Sequence, residues 1–333
     1  MSLVKIYSEK DIFSFLKKRA GETKFGEKVN FVEMLEDLKN HSAKYVILGI
    51  PEDIGVRANY GNPGTAKAWE AALESLLNIQ HNHLTNAENV ILLGEIDCET
   101  QMKEAATISK EESHYAEALG KLVTQIDHKV SEIIKAIVEA GKFPIIIGGG
   151  HNNSYGNLKG TSEALKNPIN CINFDAHTDF RALEHRHSGN GFSYAFEEGF
   201  LNKYFIFGLH RNYTSEAVFN SIGKNSERVK FNLFEDISVK QKLSFSEAMK
   251  EAENFCCNET FGIELDTDAI EFMGSSAISP SGFTLTEARQ FVAHFSKNTN
   301  ATYLHICEGL PSVGIFPNQI GKTISYLVSD VLS

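Results

Sequence analysis

Eight short apolar runs, at 45–50, 90–93, 143–147, 169–174, 204–207, 229–233, 261–265 and 301–306, recur along the 333-residue chain with longer amphipathic stretches between them. Runs this short without polar alternation read as strands buried on both faces, which occur in parallel sheets covered by helices. The longest intervening stretch, 112–140, places Leu119, Leu122, Val123, Ile126, Val130, Ile133, Ile134 and Ile137 at spacings of three and four, with Gly141 as a stop signal. Further helices are expected at 155–165, 244–255, 284–296 and 321–332, the third opening on a Thr284 to Glu287 capping box. A helical pattern also marks 12–18 and 31–40. Eight strands alternating with helices predict a doubly wound α/β sheet, with an eightfold barrel as the alternative closure. No repeat, low-complexity tract or Pro/Gly/Ser-rich linker interrupts the pattern, so a single domain over 1–333 is expected, with 1–43 as a helical extension packed on it.

Composition narrows the function classes. A net charge of −11 argues against general nucleic-acid binding. No apolar run approaches the roughly 20 residues needed to cross a bilayer. Lys5, Glu9, Lys10, Asp11 and Lys17 break up the first twenty residues, leaving no signal-peptide core, so a cytoplasmic protein is expected. Five cysteines, an odd number without C-x-x-C spacing, read as reduced packing residues.

In parallel α/β sheets chemistry sits at the carboxyl ends of strands, and three run ends carry it here. The first is Ile145-Ile-Ile-Gly-Gly-Gly-His151, where glycines permit a tight turn but the Lys-Ser/Thr of a phosphate loop is missing. The second is Asp175-Ala-His177-Thr-Asp179; in an extended chain its three polar residues would share one face. The third is Glu264-Leu-Asp266-Thr-Asp268, with the same alternation. Together they offer two imidazoles and four carboxylates: His151, Asp175, His177, Asp179, Asp266 and Asp268. Left unpaired at buried strand ends these carboxylates would repel, whereas two divalent cations neutralise them. Mixed His and carboxylate donors without thiolate favour Mn²⁺ over structural zinc. Asp175 and Asp266, as bridges, would hold the two ions roughly 3.5 Å apart, with a hydroxide between them as nucleophile.

These three motifs, in this order and spacing, resemble the ureohydrolase family of arginases, agmatinases and formimidoylglutamases from about Tyr45 onward. The resemblance implies an arginase-like three-layer α/β/α fold with a mainly parallel eight-stranded sheet, two Mn²⁺ per subunit, a small-molecule substrate and homo-oligomerisation. Residues 49–61 resemble the family's first strand end and substrate-side loop, and Glu308 in His305-Ile-Cys-Glu308 the glutamate that holds an amidine-like head. Phe192 stands where arginases carry histidine, and the agmatinase His-Gly-Thr is unmatched. Asp179-Phe-Arg181 followed by Ser188-Gly-Asn190-Gly-Phe192 is most similar to formimidoylglutamases, although Asn190-Gly191 replaces their Thr-Pro. The implied reaction cleaves N-formimino-L-glutamate to L-glutamate and formamide in histidine catabolism. Asp179 would orient the nucleophile, and Arg181, Ser188, Asn190 and Arg211 would receive the substrate carboxylates. Glu264, where the family has a small or neutral residue, would contact substrate, support a ligand side chain or pair with arginine. The proton donor is open among His185, His187 and His210, with His187 the first choice. Rival readings are a urea-releasing ureohydrolase, a non-catalytic binding homologue and a two-metal phosphatase.

Overall fold

The computed structural model describes residues 3–333. Nine strands form one sheet: β1 (Val4–Ile6), β2 (Tyr45–Gly49), β3 (Val90–Ile96), β4 (Phe143–Ile147), β5 (Ile169–Phe174), β6 (Leu201–Leu209), β7 (Val229–Leu233), β8 (Phe261–Asp266) and β9 (Ala301–Cys307). Their order is β1-β3-β2-β4-β9-β8-β5-β6-β7, and every pairing is parallel except β1 with β3. The expected count of eight is therefore one short. The added strand is an antiparallel edge of three residues, Val-Lys-Ile, too short to show a period. The sheet is open, so the barrel alternative falls.

Helices cover both faces, and each face has its own apolar cluster. One gathers Trp69, Phe174, Phe207, Phe283 and Phe291; the other gathers Leu119, Ile126, Val130, Phe192 and Tyr204. The long helix, Tyr115–Glu139, buries the predicted stripe and ends before Gly141, which takes φ +73°. Helices Ser154–Leu165, Phe245–Cys256, Leu285–Phe295 and Gln319–Leu332 lie within one or two residues of their expected bounds, and Thr284 and Glu287 form their capping box. The N-terminal segment differs from expectation. Among its described residues only Glu9–Ile12 is α-helical, with 3-10 turns at Phe13–Phe15, Phe25–Glu27 and Leu35–Asn40. Ile12, Phe25 and Leu38 are buried there at irregular spacing, which anchors the chain without sustaining a helix.

The winding decides where the site falls. β9 and β8 are inserted between β4 and β5, so the strand order 4-9-8-5 sets side by side the four strand ends that carry chemistry. All four run parallel, so those ends open on one edge of the sheet, in the crevice where doubly wound sheets bind ligands.

Candidate metal centre

After β4, Gly148 and Gly149 take φ +91° and +75° and deliver His151 at the base of helix Ser154–Leu165. A Cβ on Gly149 would stand 2.4 Å from Asn153 Nδ2 and 2.9 Å from Glu52 Oε1, so the turn has no room for one. Buried Glu52 organises it. Its Oε1 accepts from Gly150 N (3.1 Å), Asn152 Nδ2 (3.2 Å) and Asn153 Nδ2 (2.6 Å), while Oε2 accepts from Ile54 N (2.7 Å).

The predicted ligand residues converge. His151 Nδ1 lies 2.8 Å from Asp179 Oδ2, 3.2 Å from Asp266 Oδ2 and 3.3 Å from Asp175 Oδ2. His177 Nδ1 lies 3.4 Å from Asp175 Oδ1 and 3.8 Å from Asp268 Oδ2. Two sets can each surround an ion: His151 with Asp175, Asp179 and Asp266, and His177 with Asp266 and Asp268. Strand alternation explains less of this than expected. β5 stops at Phe174, and Asp179 reaches the cluster from a left-handed position at φ +43°. Asp268 belongs to the 3-10 turn Thr267–Ala269, its amide donating to Asp266 Oδ1 at 2.7 Å.

The cluster's chemistry suits cations. His151 Nδ1 is buried with three carboxylate oxygens around it, yet it makes no hydrogen bond to any of them. Burial, reinforced by Asp268 and Asp175, pushes the Asp266 carboxyl well above its ordinary range, and burial with Asp175 raises Asp179. Asp175 runs the other way. Burial opposes its charge, but the His151 and His177 rings beside it hold its carboxyl below the ordinary range. A cage of acceptors that cannot all ionise together is the donor chemistry of a divalent-metal site. Cys307 Sγ also lies near His151 and Asp266, but burial raises its thiol well above the usual value and it donates to Leu265 O.

A cavity of about 680 Å³ opens over the cluster, with His177, Asp179, Asp266, Asp268 and Glu308 on its floor. Glu308 follows β9 at φ +60°. Its Oε1 accepts from His151 N at 2.7 Å, and its buried Oε2 has no partner among the described residues. Burial and the charge of Asp268 push its carboxyl up to about 8.

Arg181 and Ser188 line the wall. Arg181 donates to Asn59 Oδ1 (2.5 Å) and Glu184 Oε1 (3.1 Å), and Asn59 Nδ2 donates to Ser188 Oγ at 3.1 Å. Four expected site residues are placed elsewhere. Asn190 is fully buried, accepting from Arg186 Nη1 at 2.6 Å and donating to His185 O at 2.9 Å. Arg211 points to solvent, 62% exposed and 3.7 Å from Glu235, because its 3-10 turn faces outward. Glu264 lies behind His151, inside the sheet, with no exposure. His187 is also off the cavity wall. Its Nδ1 accepts from Gly189 N, which leaves its Nε2–H to Glu184 at 3.0 Å, and burial pushes its pKa down to about 4. A neutral ring with both nitrogens engaged is poorly placed to donate a proton. His185 faces Ala58 O, and His210 is stacked between Tyr213 and Phe234.

Three wall or scaffold residues escaped the sequence reading. Tyr213 lines the cavity and stacks on His177 with ring centroids 5.1 Å apart. Glu184 caps Arg181, and buried Arg186 makes a bidentate pair with Asp127 while donating to Asn152 O. No spacing rule announces them, since each partner lies on a different element.

Comparison with known proteins bears on this arrangement. Residues 43–330 match the arginase family. A formimidoylglutamase from Macrococcus caseolyticus is 29% identical over 192 residues, 57% of this chain and 54% of that protein, so the match spans about half the length of the curated relative. Among solved structures, the Bacillus subtilis formimidoylglutamase superposes with TM-score 0.76 at 18% identity, covering 97% of this chain and 96% of that one. A Trypanosoma cruzi formiminoglutamase crystallised with Mn²⁺ gives 0.71 at 19% identity, covering 93% and 97%. At these identities the structures establish the fold, and the match over residues 43–330 establishes the lineage: this chain belongs to the arginase family.

Proposed function

We propose that the protein is a binuclear-manganese hydrolase that cleaves N-formimino-L-glutamate with water to L-glutamate and formamide, as a cytoplasmic step of histidine breakdown. The observation that carries the reading is the unpaired Glu308 Oε2 on the floor beside the His and Asp cluster. A buried carboxylate oxygen without a donor fits a planar N–H cation, which an amidine head supplies. His151, Asp175, Asp179 and Asp266 would hold one ion and His177, Asp266 and Asp268 the other. When bound, such a pair polarises the amidine carbon's surroundings and activates water at neutral pH. Asp179, on the cavity floor, would orient that water by accepting a hydrogen bond from it, and Glu308 would fix the head group over it. Arg181 and Ser188, steadied by Asn59, receive the tail carboxylates. Asn190 and Arg211 leave the list of substrate contacts by their placement.

The names of the relatives above support this choice within the family, as does Asp179-Phe-Arg181 with Ser188-Gly-Asn190-Gly-Phe192. The test is product analysis on Mn²⁺-loaded protein offered formiminoglutamate, arginine and agmatine in parallel. Equimolar glutamate and formamide from the first alone is the expected result; urea from either of the others would replace this reading with a guanidino-hydrolase one.

A further inference from the structure

Glu264 is a fully buried carboxylate on β8, and the site described above does not use it. Burying such a charge costs several kcal/mol unless it is paired and hydrogen-bonded, so its surroundings identify its task. Oε1 accepts from Tyr303 Oη at 2.8 Å and Asn157 Nδ2 at 3.4 Å. Oε2 lies 2.6 Å from His305 Nδ1 and 3.5 Å from His151 Nε2. The far nitrogen of His305 lies 3.2 Å from Gly148 O, in the turn that delivers His151. The sheet register sets Glu264 opposite His305 on one side and Asn173 on the other. Room for this arrangement is also built in. A Cβ on Gly262 would stand 2.3 Å from the Tyr303 ring, so only glycine lets that ring lie across β8 to reach Glu264.

His151 thus lies between two sets of carboxylates, with neither ring nitrogen hydrogen-bonded. Its Nδ1 faces Asp175, Asp179 and Asp266, and its Nε2 faces Glu264. We propose that Glu264, clamped by Tyr303 and His305, is the positioning residue that aims His151 Nδ1 at the metal cluster and makes that ring a stronger donor. The inference rests on His151 being a metal ligand. A carboxylate behind a ligating imidazole fixes its tautomer and orientation and strengthens its basicity. His177 has no such support: its ring is steadied by stacking on Tyr213, and no described side chain hydrogen-bonds its Nε2. The effect of losing Glu264 is therefore confined to one of the two ions.

The test is calorimetric titration of the metal-free full chain with Mn²⁺, paired with Mn²⁺ electron paramagnetic resonance. Wild type should bind two ions. Glu264→Gln should keep one ion at wild-type affinity and weaken the other about 10- to 100-fold, so that an isolated Mn²⁺ signal replaces the coupled pair at equimolar metal. Tyr303→Phe, which loosens the clamp but keeps the carboxylate, should weaken the same ion less, and it serves if the glutamine variant does not fold. Two ions bound within threefold of wild type in both variants would overturn the proposal. So would equal weakening of both ions together with a lower melting temperature of the metal-free protein, which marks a structural staple. A wild type that binds no Mn²⁺ would overturn the metal reading itself, and that outcome shows before any variant is made.

Discussion

Glu308 Oε2 has no partner while Oε1 is held by the His151 amide, so one oxygen anchors the residue and the other is free for a ligand. Glu308→Gln keeps the shape but removes the charge opposite the amidine. Losing one member of a buried charge pair costs about 2–5 kcal/mol, so kcat/KM should fall roughly 30- to 4,000-fold at unchanged Mn²⁺ content, as steady-state kinetics beside metal analysis would show. Arg181 is half exposed and shared with Glu184, and solvent screens it. Arg181→Ala should therefore act mainly through KM, raising it about tenfold with a smaller change in kcat, as expected for lost uniform binding. Single residues also show how far the sequence could be read. The convergence of the six residues proposed as ligands was legible because each stands at or just beyond the end of an apolar run. The inward turn of Asn190 and the outward turn of Arg211 were not, since they depend on Arg186 and Glu235, partners that no local pattern connects.

Among elements, helix Ser154–Leu165 follows directly on the 3-10 turn that holds His151 and packs on Tyr115–Glu139 through Gly156 and Gly160. A Cβ on Gly160 would lie 2.4 Å from the Ser131 carbonyl oxygen, against backbone that cannot give way. Alanine gains about 1 kcal/mol of helix propensity, but overpacking costs about 1–3 kcal/mol, and the contact wins. Gly160→Ala should lower stability by up to about 2 kcal/mol in urea unfolding. Gly223, in helix Glu216–Lys224, has nothing within 4 Å of its would-be Cβ, and alanine there should stabilise by about 0.5 kcal/mol. The central strands were legible because burial on both faces leaves them mostly apolar, with buried exceptions such as Asn173, Glu264 and His305. β1 and the N-terminal turns were not, because three residues and scattered anchors leave no period to detect.

Across the whole molecule, sheet order concentrates acidic groups on one edge, and that has a pH consequence. Asp179, Asp266, Asp268 and Glu308 all have raised carboxyls, the last at about 8, so the folded metal-free protein holds protons there that the unfolded chain releases. A raised acid stabilises the fold least at high pH: metal-free stability should decline as pH rises from about 4, the unfolded carboxylate value, through about 8. Asp175 and Glu264 work in the opposite sense, two lowered groups against four. Melting temperatures of chelator-stripped protein from pH 5 to 8 should fall, and Mn²⁺ should restore them most at the alkaline end. The insertion of β9 and β8 between β4 and β5 was invisible in the chain's order, although the strands and the motifs at their ends were not. Together these features carry the proposal of a two-ion site, assembled by four neighbouring strand ends, that hydrolyses a formimino group. Its most direct test is glutamate release from N-formimino-L-glutamate by chelator-stripped protein titrated with Mn²⁺. The account predicts no release without metal and a plateau at two ions per chain; release by the stripped protein, or none at any Mn²⁺ level, would contradict it.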